Sequence, residues 1–543
     1  MRPIRRPDRA QLILCMFLFP LILAAQAPAS PASKPAARVC TIVRTPPTEG
    51  EIDLARTAYT KAETFYRAAV DHDGASSEAN LGLVRALVGE DKATEAVALA
   101  TAFFNAHPGD ALAETALGEA DYRAGNLTDA RTHFIAAVNA DGCEGRSLAD
   151  FATLLGDFAF YATQARYLAK AHAFRPNDEL IRRDWIYTLP RKQREAELAQ
   201  YLVSAQAISE SERKALNNEE EHLKAYRPGE CRITSKAPAN TTMKVPFEFI
   251  YGDSPVPQAY GLDVSFDGKR RRLQIDTGAS GITLSPAAAR RLGITPEFQT
   301  KTGGVGDEGE VGSYLAHVAK IDIGDVELTD CMVEVLEKSK LDVDGLVGMN
   351  IFHDWLVTLD YPNAKLMLDT LPPRPEVKAT AAGTESPANS NDETRHDAIV
   401  PPSEKDWLHV IRIGHELLLP ASINGGPIHY MIADTGASLT SLSLAFAKES
   451  GKAHTEESVQ VTGISGKVKK TFSIEGAHLQ FGNMRLPPGS FYAFDITGVS
   501  HDAGTEVSGF VGLDTLSRVS MTIDYRDNLL DFKYDQKKDF HRF

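Results

Sequence analysis

The stretch "LQIDTGASGITLS" from Leu273 to Ser285 returns as "YMIADTGASLTSLS" from Tyr430 to Ser443. In each copy an apolar strand runs into an acid, a threonine and a glycine where a core strand would simply turn. The copying extends in both directions: "SFDGKRRRLQIDTGAS" matches "SINGGPIHYMIADTGAS", and "VDGLVGMNIFHDWLVTLDYPNAKLML" matches "VSGFVGLDTLSRVSMTIDYRDNLLDF". Gly348 follows Asp276 by 72 residues and Gly512 follows Asp434 by 78. The chain therefore builds one all-β unit twice, from short apolar strands punctuated by glycine turns. The predicted units cover 241–370 and 406–536. The Pro-, Ala-, Ser- and charge-rich segment 371–405 between them has no periodicity and reads as a linker.

The 543 residues leave room for more than these two units. From 51 to 226 the texture is Ala-, Leu- and Glu-rich with helical spacing. Ala62, Ala96 and Ala130 recur every 34 residues, as do Tyr66, Ala100 and Phe134, and Pro108, Gly142 and Pro176 punctuate at the same step. With Leu83, Leu117 and Gly118 in the first helices, this region resembles tetratricopeptide repeats, whose period is 34. The resemblance implies paired helices and an inner face suited to a peptide or protein partner. A plain helical layer packed on the next domain is the alternative, and either way this half is non-catalytic. Each β unit has its own core pattern, so the helical region is expected to be separable.

The chain opens with arginines, an apolar run from Leu12 to Ala25 and small residues to Ala29, the layout of a secretory signal peptide over 1–29. Low-complexity sequence fills 30–50. The run is shorter than the roughly 20 residues that span a bilayer, so no stable membrane span is expected after cleavage, and the protein is expected to be periplasmic or secreted. Cys40, Cys143, Cys231 and Cys331 would then meet an oxidising compartment, with three full pairings open. Cys331, in "ELTDCMVEV", reads as a buried strand residue. A net charge of −15 with no basic stripe argues against nucleic acid.

Asp-Thr-Gly-Ala-Ser after an apolar strand, answered downstream by Leu346-Val347-Gly348 and Phe510-Val511-Gly512, resembles the retropepsin-like aspartic proteases, closest to bacterial members. The likeness covers both β units, about half of the chain. It implies two lobes meeting about a pseudo-two-fold axis, with Asp276 and Asp434 as the catalytic pair. Two carboxylates sharing one proton supply both the base that activates water and the acid that protonates the leaving nitrogen. The resemblance gives Thr277 and Thr435 the task of locking the two turns together. It has Gly278 and Gly436 leave room for water and substrate, and it packs Gly348 and Gly512 behind the turns. Substrate-covering flaps are expected in the glycine-rich Lys301–Tyr314 and Val461–Phe472.

No His-Glu-x-x-His, paired Cys-x-x-Cys or Gly-x-Ser-x-Gly is present, so no cofactor or metal is expected. His353 and His409 read as ordinary core or surface residues, and Asp342 and Asp344 as a solvated turn. The expected activity is that of an exported aspartic endopeptidase on polypeptide substrates, with the repeats docking partner or substrate. Two alternatives stay open: lobes active only when paired between chains, and a scaffold that binds peptides without cleaving them.

Overall fold

The computed structural model describes residues 2–3, 40–205, 207–225, 231–251, 257–338, 342–374, 396–450, 453–456 and 460–538. Apart from Arg2–Pro3, the expected signal peptide lies outside the described residues, as does 375–395 of the expected linker.

Among the described residues eleven helices form the N-terminal half: α1 (Glu49–Ala55), α2 (Tyr59–His72), α3 (Ser77–Gly89), α4 (Ala93–Ala106), α5 (Ala111–Arg123), α6 (Leu127–Ala140), α7 (Gly145–Asp157), α8 (Tyr161–Phe174), α9 (Glu179–Tyr187), α10 (Arg191–Ser204) and α11 (Glu210–Ala225). The 34-residue step sets their boundaries. Ser76, Asp110, Glu144 and Asp178, one step apart, cap α3, α5, α7 and α9 by accepting backbone N–H groups of the first turn. Ala62, Ala96 and Ala130 are fully buried where helices approach. Side chains fit the same register: the Tyr66 ring lies on Gly82 and the Phe134 ring on Gly118, so a Cβ at either glycine would strike an aromatic ring.

The inner face of this array is already furnished. Arg85 pairs with Glu119 and Asp150, Arg146 with Glu51 and Asp178, and Arg175 with Glu144 and Glu78. The segment before α1 lies against it: Val43 N–H donates to the Phe174 carbonyl, Asn177 donates to the carbonyls of Arg44 and Thr45, and Cys40 is disulfide-bonded to Cys143.

The C-terminal half is β-rich. Among the described residues lobe 1 is a nine-stranded sheet and lobe 2 a ten-stranded one, with Arg2–Pro3 paired along its edge at Met484–Arg485. Between them, a six-stranded sheet takes strands from both, in the order Leu408–His409, Leu529–Tyr534, Val519–Asp524, Trp355–Asp360, Lys365–Thr370 and Met243–Pro246. At its centre Val357 faces Ile523 and Leu359 faces Met521, all fully buried, and the Thr358 and Thr522 hydroxyls hydrogen-bond at 3.1 Å. Burying four such side chains contributes on the order of 6–12 kcal/mol before chain entropy is charged against it. One apolar core consequently runs through both lobes.

Cys331 is buried in the strand Val326–Leu336, as its apolar context suggests, but it is disulfide-bonded to Cys231. The expectation that the helical region is separable is revised. Leu127 of α6 is buried in one apolar cluster with Ile411, Leu418, Ile432 and Phe510 of lobe 2. Around it Thr505 donates to the Tyr122 carbonyl at 2.5 Å, Glu506 N–H to the Arg123 carbonyl at 3.1 Å, and Asn528 to the Asp157 carbonyl at 3.0 Å. Asp397, near the described end of the linker, accepts from both the N–H and the hydroxyl of Thr163 on α8. Thus lobe 2 uses part of the array as its own wall. No local pattern could have announced that.

Candidate active site

Each acid stands at the tip of a strand bound on both sides. In lobe 1 Lys269–Asp276 runs parallel to Gly345–Gly348, with Gly348 opposite Asp276, and the chain then returns through Ile282–Leu284 into α12 (Pro286–Leu292). In lobe 2 His429–Ala433 runs parallel to Gly509–Val511, and Ser441–Ser443 leads into α13 (Leu444–Ser450). The apolar-apolar-glycine motifs thus lie beside the acid-bearing strands. Gly348 N–H donates to the Gly281 carbonyl at 2.7 Å and Gly512 N–H to the Thr440 hydroxyl at 3.1 Å.

The two turns meet. Thr277 N–H donates to the Thr435 hydroxyl and Thr435 N–H to the Thr277 hydroxyl, both at 3.0 Å. Each hydroxyl passes its own proton across: Thr277 to the Ala433 carbonyl at 2.6 Å and Thr435 to the Ile275 carbonyl at 3.2 Å. Both threonines are 1% exposed, so the four bonds are shielded from water and reciprocal. This lock sets the Asp276 and Asp434 carboxyls on either side of the junction, close enough for the charge of one to act on the other. Gly278 and Gly436 face the opposite acid, and a Cβ at either would overlap the carboxyl across the axis.

The electrostatics follow from this placement. Burial pushes both carboxyls above the usual carboxylate range, and the charge of Asp434 adds to the rise at Asp276. Backbone donors oppose it: Gly278 N–H reaches Asp276 Oδ1 at 2.8 Å, while Gly436 and Ala437 N–H reach Asp434 Oδ1 at 2.7 and 3.1 Å. Such a pair holds one proton between its members and titrates as a unit.

Several supporting residues escaped the sequence reading. Asn350 Oδ1 accepts from Gly281 N–H at 3.0 Å, and its counterpart Asp514 accepts from the N–H and hydroxyl of Thr440 at 2.8 and 2.7 Å. Tyr361 and Tyr525 are buried in the core that runs through both lobes, their hydroxyl pKa raised by burial. The duplicated endings "GMN"/"GLD" and "LDY"/"IDY" were the available signal. The two glycine-rich segments form hairpins from opposite lobes whose tips join: Ser465 N–H donates to the Val305 carbonyl at 3.1 Å and Glu308 N–H to the Ser465 carbonyl at 2.9 Å. Val305 and Val461 pack on the same apolar cluster as Ala437, beside Asp434. His353 and His409 are not part of this constellation, and Asp344 pairs with Arg291 in a surface turn. Among the described residues no group of three or more His, Cys, Asp and Glu side chains is placed to hold a metal ion.

Residues 262–354 match the family described as "gag-polyprotein putative aspartyl protease", and residues 419–515 match the family described as "Aspartyl protease". The two β lobes are aspartic protease domains. Among solved structures, the aspartic proteinase from Irpex lacteus is similar at 13% identity, with 55% of this chain and 98% of that one covered and a TM-score of 0.32. A retropepsin-like aspartic protease from Rickettsia conorii is similar at 16% identity over 27% of this chain and 97% of that one, with a TM-score of 0.19. No curated protein matches the sequence.

Proposed function

We propose that the protein is an aspartic endopeptidase whose dyad is formed within one chain by Asp276 and Asp434. The observation that carries this reading is the placement of each acid against the dyad glycine of the opposite lobe, held by the reciprocal threonine lock. The ionised member of the pair takes a proton from water as that water attacks the scissile carbonyl, and the protonated member delivers its proton to the departing nitrogen. Thr277, Thr435, Gly278 and Gly436 hold the pair and leave it open to water and substrate. Gly348 and Gly512 brace the strands behind. The joined hairpins, which must part to admit a polypeptide, would act as paired flaps.

Pairing within the chain favours this reading over lobes that work only between chains, and an intact acid in each lobe favours it over a non-cleaving scaffold. Asp276→Asn and Asp434→Asn should each lower peptide hydrolysis by at least about a thousandfold while leaving the melting transition in place. Activity recovered on mixing the two variants would replace the intramolecular dyad with pairing between chains. Peptide binding without cleavage by the wild-type protein would support the scaffold.

The same proposal places the protein in the periplasm or outside the cell, and the disulfides Cys40–Cys143 and Cys231–Cys331 suit an oxidising compartment. It assigns the helical array to docking substrate or partner protein. Because the inner face is filled by ion pairs and by residues 43–45, the surface to test is α4, α10 and the parts of α6 and α8 that lobe 2 and the linker leave uncovered. Cross-linking from an inserted photoreactive residue there would read it out.

A further inference from the structure

Each dyad glycine has its carbonyl held by a side chain from the opposite lobe, and the two holders are not equivalent. The Gly436 carbonyl accepts from Gln274 Nε2 at 3.2 Å, a residue on the strand that ends in Asp276. The Gly278 carbonyl accepts from His415 Nε2 at 2.9 Å, a residue in the turn between the strands Ile411–Ile413 and Glu416–Ile423 of lobe 2. Duplication does not explain either. The lobe 2 counterpart of Gln274 is Ile432, which has no donor. The lobe 1 counterpart of His415, aligned through the matching turns at Asp267-Gly268 and Asn424-Gly425, is the exposed Gln258.

We propose that His415 is a positioning residue of the dyad, fixing the turn that carries Asp276 by donating a hydrogen bond from lobe 2 to the Gly278 carbonyl. A carbonyl only accepts, so the imidazole must present its Nε2–H there. The tie is short in covalent terms, because the N–H of the same glycine donates to Asp276 Oδ1. The ring works as a neutral donor at neutral pH: burial and Arg412 lower its pKa, and this outweighs the opposing pull of the Gly278 carbonyl and of Asp434. Arg412 is itself turned toward α8, donating to the Tyr161 hydroxyl at 2.5 Å, so this turn of lobe 2 also touches the helical array. The inference rests on the reading of Asp276 and Asp434 as a hydrolytic pair.

The experiment uses the full chain and an unstructured peptide substrate, with kcat and KM measured for wild type, His415→Leu and His415→Gln beside their melting temperatures. Leucine keeps the bulk and removes the donor, whereas glutamine supplies an N–H of the kind lobe 1 uses at Gln274. Loss of the donor should lower kcat about tenfold with KM within about twofold, and glutamine should restore kcat to within about threefold of wild type. Wild-type kcat in His415→Leu overturns the proposal. So does an equal loss in both variants that follows a shared fall in melting temperature, which would make the histidine a packing residue. If His415→Leu does not fold, His415→Asn, whose shorter amide cannot span the gap, takes its place with the same expectation. An inactive wild-type protein would instead refute the peptidase reading itself, which separates the two failures.

Discussion

The two lobes repeat one another in sequence yet are supported differently. Lobe 1 is closed by a covalent pin: Cys231–Cys331 fastens the entering strand Arg232–Ser235 to Val326–Leu336, with which it also pairs. Lobe 2 contains no cysteine. Its outer face is sealed by Leu127 and the hydrogen bonds to Tyr122, Arg123 and Asp157 from the array, whereas lobe 1 accepts a hydrogen bond from Asn218 of α11 at the Gln299 carbonyl. At the dyad the threonine lock stays matched, although the side chains that hold the two glycine carbonyls differ. The lesson is that duplicated halves can keep a symmetric centre while their peripheries find separate ways to cover apolar surface.

The sharpest way to break this comparison is to spoil the array's seat. Leu127→Asp should destabilise lobe 2 by about 3–5 kcal/mol, since it removes a buried leucine and places a charge among Ile411, Leu418 and Phe510. Hydrogen exchange should show the loss in 408–538 and not in 257–338. Uniform protection in both lobes would mean that the array is a passenger. Removing the pin by Cys231→Ser with Cys331→Ser should cost lobe 1 about 2–4 kcal/mol, because the bridge closes a loop of 100 residues in the unfolded chain. Denaturant unfolding followed by lobe-resolved exchange would read it, and equal loosening of lobe 2 would contradict separate support.

A smaller effect concerns pH at the seat. Burial pushes Asp157 up to about 7, and the Tyr122 hydroxyl donating to it at 2.8 Å only partly opposes this. A carboxyl whose folded pKa is raised contributes stability at pH values below its ordinary pKa, and that contribution is lost as pH rises through about 7. Asp157→Asn should therefore flatten the fall in melting temperature between acidic and mildly alkaline pH. An unchanged slope would take Asp157 out of the account.

The smallest expected shift lies where the lobes agree. Ala279 and Ala437 follow the dyad glycines and bring no hydroxyl to the carboxylates, so the shared proton is held to higher pH and activity is expected in the mildly acidic to near-neutral range. Ala279→Ser with Ala437→Ser should move the acidic limb of kcat/KM downward by about 0.5–1 pH unit, since a hydroxyl donor favours the charged form. A limb that stays in place would show that the missing hydroxyls do not set the titration.

What the sequence determined by itself was whatever a short stretch of chain can carry. The 34-residue register located helix pairs because each repeat must put its alanines and aromatics at the same helix crossings. The duplicated strand-acid-glycine pattern located Asp276, Thr277, Asp434 and Thr435 because strand alternation and turn chemistry are settled within a dozen residues. The tertiary structure decided the rest. Which cysteines pair, that Gln274 and His415 cross to the opposite lobe's glycine, and that Leu127 completes the cluster around Ile411 all join residues about 100 to 300 positions apart. Such contacts leave no period and no motif, because their partners are chosen only when finished lobes and helices dock and the remaining exposed donors and apolar faces find what covers them.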